Sequence, residues 1–155
     1  MHNVLLKQDA GADIEWLIEQ ILKQMRWRPI NVTPEQCSAK SVSSADLWFI
    51  AEFHHSMSEA YKQIMHLANG LEYNELVIWP CHESMLYDET IHKVNARFRG
   101  ELSPFFLYYG SIRDELYVFD LRCQTYCAIE KARRAVWKCF EDDESMFRYM
   151  LERSL

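Results

Sequence analysis

The sequence lacks a basic excess. Its 17 lysines and arginines are outnumbered by 23 aspartates and glutamates, for a formal net charge of −6. Non-specific binding to nucleic acid or to an anionic membrane needs a basic face, so both are excluded as expectations. A basic protein partner remains compatible with the charge. No window approaches the ~20 apolar residues that a membrane span needs. The first residues, Met1-His2-Asn3-Val4-Leu5-Leu6-Lys7, have no basic stretch leading into an apolar run, so no signal peptide is expected. The five cysteines, at 37, 81, 123, 127 and 139, are odd in number and scattered. That is no disulfide framework, and reduced thiols in a cytoplasmic protein are the simpler expectation. Internal repeats and low-complexity tracts are absent. A chain of 155 residues with 49% hydrophobic residues is expected to form one domain.

The helices show in the apolar spacing. Ile14, Leu17, Ile18, Ile21, Leu22 and Met25 form an i, i+3, i+4, i+7 stripe. Asp13 is its N-cap, Glu15 and Glu19 suit its positive end, Lys23 and Arg26 suit its negative end, and Pro29 stops it. Residues 30–45 read as a connection, from Thr33, Pro34 and four serines. Residues 46–68 keep a second stripe of Leu47, Ile50, Ala51, His54, Met57, Tyr61, Ile64, Met65 and Ala68. A break near His55-Ser56 is expected, because Ser56 followed by Glu59 is a capping-box pattern. Asn69-Gly70 is expected to close the second helix.

The strands follow. Leu76-Val77-Ile78-Trp79 is a short buried strand ended by Pro80, and residues 84–98 read as a helix beginning at Ser84. Next come alternating runs at 105–109, 115–121, 125–130 and 135–140. Tyr117, Phe119 and Leu121 should share one face, and Leu116, Val118 and Asp120 the other. A last helix should start near Asp142-Asp143 and bury Phe147, Met150 and Leu151. The expected core includes Trp79, Phe106, Tyr108, Phe119, Ile129 and Phe147. The fold class expected is α+β, a single antiparallel-rich sheet with flanking helices.

In order and spacing, several of these segments resemble a known family. They are Tyr61 through Asn69-Gly70-Leu71, Leu76 to Trp79, Asn95, Phe106 to Ser111, Glu115 to Leu121, and Phe140 followed by Ser145-Met146-Phe147 and Met150-Leu151. The pattern is similar to the SUKH superfamily, bacterial immunity proteins related to a yeast cell-wall-synthesis regulator, and in particular to its YrhA-like members. It covers roughly residues 46–153 and leaves 1–45 as an N-terminal extension of helix and loop. Met57-Ser58 stands where the family has Leu-Pro, and Ile112-Arg113-Asp114 where a glycine usually follows Gly110. The resemblance implies a SUKH-like α+β fold and a non-enzymatic role. That role is to bind a cognate toxin, a nuclease or a deaminase, and to occlude its active site.

Sharper chemical signals are weak. Cys123 and Cys127 have no second pair at metal-ligand spacing. Pro80-Cys81-His82-Glu83 lacks both the second cysteine and the upstream His-x-Glu of a zinc deaminase. His54, His55 and His66 come with no nucleophile elbow or similar signature, so they read as helix-flank residues. Cys127 and Cys139 read as small core residues. Glu141 to Glu144 reads as an acidic first turn matched to the helix dipole. No catalytic residue, metal or cofactor is expected. For the partner, acidic loop residues that mimic nucleic-acid charge are the expectation: Glu72 and Glu75 before the first strand, and Asp114 and Glu115 in a hairpin turn. The competing expectation is a housekeeping interaction or regulatory scaffold, since fold alone does not fix function.

Overall fold

The structure is a computed structural model that describes residues 13–27, 33–84, 86–87 and 89–155. Pro29, the expected helix stop, and Met85, in the helix expected over 84–98, lie outside the described residues, as do positions 1–12. Among the described residues five helices flank one six-stranded sheet.

Helix α1 (Ile14–Arg26) forms as its stripe predicts. Asp13 accepts the Trp16 N–H at 2.9 Å, and Ile14, Leu17, Ile18, Ile21 and Met25 are buried. Helix α2 (Ala39–Phe53) starts well before residue 46, because Ser38 caps it by accepting the Ser41 N–H. Its buried face also differs from the expected one. Val42, Ala45, Phe49 and Phe53 are inside, whereas Leu47 and Ile50 are 68% and 39% exposed. Two apolar stripes compete on this helix, and the one carrying two phenylalanines buries more area.

Helix α3 (Glu59–Leu67) is capped by Ser58, which accepts the Tyr61 N–H at 3.0 Å. Ser56 is no cap. Its hydroxyl instead donates to both carboxylate oxygens of Asp46, at 3.0 and 2.9 Å. Asp46 also accepts from the Met57 N–H at 2.7 Å and from Lys62 at 2.8 Å, which pins the α2–α3 link. The end of α3 is an extended Ala68 rather than Asn69-Gly70. Gly70 is left-handed (φ +88), but it turns the chain into a strand that the sequence reading missed, β1 (Leu71–Tyr73).

β1 pairs with β2 (Leu76–Ile78) through a turn in which Asn74 and Glu75 both have positive φ, 46° and 72°. This is the turn geometry that suits the twist of a hairpin. The helix expected from Ser84 begins later. Ser84 accepts the Leu86 N–H, and α4 (Ile91–Glu101) starts behind Thr90, which accepts the Lys93 N–H. Strands β3 (Phe106–Ile112), β4 (Glu115–Asp120), β5 (Thr125–Glu130) and β6 (Val136–Phe140) complete an antiparallel meander in the order β1 to β6. Arg113 takes a left-handed conformation (φ 54) in the β3–β4 turn. Helix α5 (Asp143–Ser154) is capped by Asp142.

The sheet is covered on both sides. One face packs Tyr109, Tyr117, Phe119 and Ala128 under α1, α2, α3 and α5. The other packs Phe106, Tyr108, Leu116, Val118, Cys127 and Ile129 against Val94 and Phe98 of α4. The two-face assignment of β4 therefore holds. A bulge between Tyr108 and Gly110 accommodates the extra residue Tyr109. A side chain at Gly110 would lie 2.5 Å from the Val77 carbonyl oxygen and 2.7 Å from Met150 Cε. Of the expected core, Phe106, Tyr108, Phe119, Ile129 and Phe147 are buried, and Trp79 is half-buried between the two clusters. Cys127 is buried, whereas Cys139 is exposed on the edge strand β6.

Candidate binding surfaces at the two ends of the sheet

A meander places alternate turns at opposite ends. The β1–β2, β3–β4 and β5–β6 turns lie at one end with the C-terminus of α5. The β4–β5 turn, the end of β6 and the N-termini of α3 and α5 lie at the other.

The first end holds the residues nominated from sequence. Glu72 is exposed on β1 and Asp114 is exposed in the β3–β4 turn, where its carbonyl accepts the Lys131 N–H at 2.8 Å. Glu75 and Glu115 are ion-paired. Glu75 pairs with Arg113, and Glu115 accepts from Arg153 at 2.6 Å and from the Tyr117 hydroxyl at 2.8 Å. Burial first, and then this bond to Glu115, push the Tyr117 hydroxyl well above the usual tyrosine range. The adjoining groove of about 810 Å³ is lined by Arg113, Lys131, Arg134 and Arg153 as well as by Asp114, Glu115 and Glu130. Glu75, Asp114 and Glu115 thus come together, but on a surface of mixed charge. The pairing of Glu75 with Arg113 and of Glu115 with Arg153 joins residues 38 positions apart, so no local pattern announces it.

The opposite end is acidic. A groove of about 490 Å³ is lined by Glu59, Glu141, Asp142 and Asp143, with no lysine or arginine among the described residues of its wall, although Lys62 beside it pairs with Glu59 at 2.9 Å. His55, Tyr126 and Phe140 supply its rings. Two of the carboxylates are fixed by capping. Asp142 accepts the Ser145 N–H at 2.8 Å, and the hydrogen bonding from Ser145 holds its carboxyl below the usual range. Asp143 accepts from the Ser58 hydroxyl at 2.6 Å and from the Ala60 N–H at 3.0 Å, tying α5 to α3. The dipole role expected of the run is therefore real for Asp142 and Asp143. Glu141 and Glu144 remain exposed. Burial, and then the charge of Asp143, push the Tyr126 hydroxyl up to about 12.

The histidines mostly bond to backbone. Ring nitrogens of His55, His66, His82 and His92 donate to the carbonyls of Ser56, Cys37, Ser41 and Ala45, at 2.8, 3.3, 2.8 and 3.2 Å. His54 ends α2 in a left-handed conformation (φ 59). His92, passed over in the sequence, is buried and stacks on Trp48 with ring centroids 3.5 Å apart. Burial holds its imidazole down to about 4, against the pull of the Ala45 carbonyl. Its other ring nitrogen, Nδ1, finds no partner among the described residues.

Cys123 is exposed in the β4–β5 turn and Cys127 is buried. Among the described residues no cluster of three or more histidine, cysteine or carboxylate side chains is placed to hold a metal ion, and no helix is long and apolar enough to cross a membrane. Compared with protein families and with curated proteins, the chain matches no family model and no curated sequence.

Proposed function

We propose that this chain is a cytoplasmic, non-enzymatic protein of the immunity type. It binds a cognate toxin, a nuclease or a deaminase, and covers the toxin's active cleft. The observation that carries this reading is the acidic groove of Glu59, Glu141, Asp142 and Asp143, whose described wall residues include no lysine or arginine and in which Glu59 is ion-paired with Lys62. A toxin that acts on nucleic acid presents a basic cleft, and fixed carboxylates offer it a substitute for phosphates. The groove is preorganised, because Asp142 and Asp143 are locked as caps, so little ordering is left for binding. The commitment of four imidazoles to backbone carbonyls supports a structural rather than a catalytic use of histidine.

The acidic end is favoured over the turn set of Glu72, Glu75, Asp114 and Glu115. Arg113 and Arg153 offset Glu75 and Glu115 there, so that end projects little net negative charge. A scaffold role is the second reading. It is favoured by the exposed apolar face of α2, Leu47, Trp48 and Ile50, which lies outside the acidic groove.

The test is co-expression with a toxin encoded beside this gene. Protection of the cells, together with a stoichiometric complex of the two purified proteins, is expected. Absence of any neighbouring toxin, or protection without a complex, would overturn the reading.

A further inference from the structure

Two thiols from distant parts of the chain meet at the C-terminal end of α3. The Sγ atoms of Cys37 and Cys81 lie 3.6 Å apart across 44 residues of sequence. We propose that Cys37 and Cys81 are an oxidisable dithiol, which a peroxide converts into a disulfide that fastens the segment ahead of α2 to the connection between β2 and α4.

Both backbones are already held in place. The Cys37 N–H donates to the Met65 carbonyl at 3.0 Å, and the Asn69 N–H donates to the Glu35 carbonyl at 2.6 Å. The Asn69 side chain holds the other segment. Its Oδ1 accepts the Cys81 and His82 N–H groups at 3.0 and 3.3 Å, and its Nδ2 donates to the His82 carbonyl at 3.1 Å. Closing the sulfurs to the ~2.0 Å of a disulfide then asks for side-chain rotation more than for movement of the chain.

The two sulfurs are not equivalent. Cys37 is half-buried and Cys81 is buried. The hydrogen bond from Cys81 lowers the Cys37 thiol below its usual range, although burial opposes it. The same bond, with burial, pushes the Cys81 thiol far up. Cys37 is therefore the attacking thiolate. It cleaves the O–O bond of the peroxide, becomes a sulfenic acid and releases water once the departing oxygen takes a proton. The Cys81 sulfur then displaces the hydroxyl from Cys37, its proton leaving with that hydroxyl as a second water. Two thiols are oxidised by two electrons and one hydrogen peroxide is reduced to two waters.

A rival pair exists. Cys127 and Cys139 face each other in register across β5 and β6. The reduced full chain would be treated with hydrogen peroxide and digested without reductant. The expected product is a Cys37–Cys81 link, with loss of two hydrogens from the intact mass. The melting temperature should rise by roughly 5–15 °C, reversibly with dithiothreitol. In Cys81→Ser, a dimedone adduct should appear on Cys37. A Cys123→Ser/Cys127→Ser/Cys139→Ser triple variant should still form the link. A Cys127–Cys139 or intermolecular link in place of Cys37–Cys81, no link at all, or dimedone capture on Cys81 in Cys37→Ser would each overturn the proposal. The digest of the unaltered protein decides the matter even if a variant fails to fold.

Discussion

Asn95 of α4 acts as a strand for Tyr108 of β3. Its Oδ1 accepts the Tyr108 N–H at 2.7 Å, and its Nδ2 donates to the Tyr108 carbonyl at 2.9 Å and to the Ile91 carbonyl at 2.8 Å. β2 pairs with β3 only from Gly110 to Ile112, so the Tyr108 backbone has lost its neighbour on that side. A fully buried amide completes the ladder. Replacing Asn95 with leucine leaves that N–H and carbonyl buried and unpaired. We expect a loss of about 2–4 kcal/mol in urea unfolding. A loss under about 1 kcal/mol would mean that water or backbone adjustment replaces the amide.

Phe119 sits between the rings of His55 and Tyr126, each with its centroid 4.7 Å away. Phe119→Ala should cost about 3–5 kcal/mol, measured by denaturant unfolding. A near-neutral result would contradict the face assignment of β4.

Gly110 leaves no room for a methyl group, because the Val77 backbone on the neighbouring strand is the obstacle. Gly110→Ala should destabilise by about 1–3 kcal/mol. It should also loosen α5, seen as faster amide exchange around Met150.

His92 gives the stability a pH dependence. An unfolded imidazole takes its proton near 6.5, and the buried one near 4. Between these values the unfolded chain binds a proton that the native chain refuses. Stability should therefore fall as pH drops from about 6.5 to about 4, by up to ~3 kcal/mol. His92→Gln should flatten this limb in a melting series. Asp46 acts further down. Burial raises its carboxyl, but Lys62, the Met57 N–H and Ser56 outweigh that and hold it below 3.8. Its contribution is present above that value and is lost as pH falls through the lowered one, so Asp46→Asn should soften the acid limb below about pH 4.

Charge reversal separates the two ends of the sheet. Glu141→Lys with Glu144→Lys should slow association with a basic toxin by about tenfold at low salt and flatten its salt dependence. Glu72, Glu75, Asp114 and Glu115 reversed together should change the rate less. The opposite ranking, read by stopped-flow kinetics, would move the interface to the turn set.

What was legible in the sequence follows from how local each signal is. Tyr117, Phe119 and Leu121 alternate with Leu116, Val118 and Asp120, so β4 and its faces could be read directly. β1 is three residues with one exposed glutamate, too short for a period to show. α2 offers two apolar stripes, and only the tertiary packing of Phe49 and Phe53 against Tyr109 and Arg99 chooses between them. The candidate site was less legible still. Acidic residues could be counted, but their partners could not. Whether Glu115 is a free charge depends on Arg153, which α5 brings across the whole sheet.

The meander has a consequence for the order of folding. Each strand bonds only to its neighbours in sequence, so every hairpin of the sheet can close soon after it is synthesised. The helical cover of one face cannot. α1 is made before any strand, yet it packs on α5, which is made after all of them. Until α5 docks, Tyr109, Tyr117 and the apolar stripe of α1 lack part of their shared cover. A nascent chain of this design carries a nearly finished sheet with one greasy side open to chaperones or to a second copy.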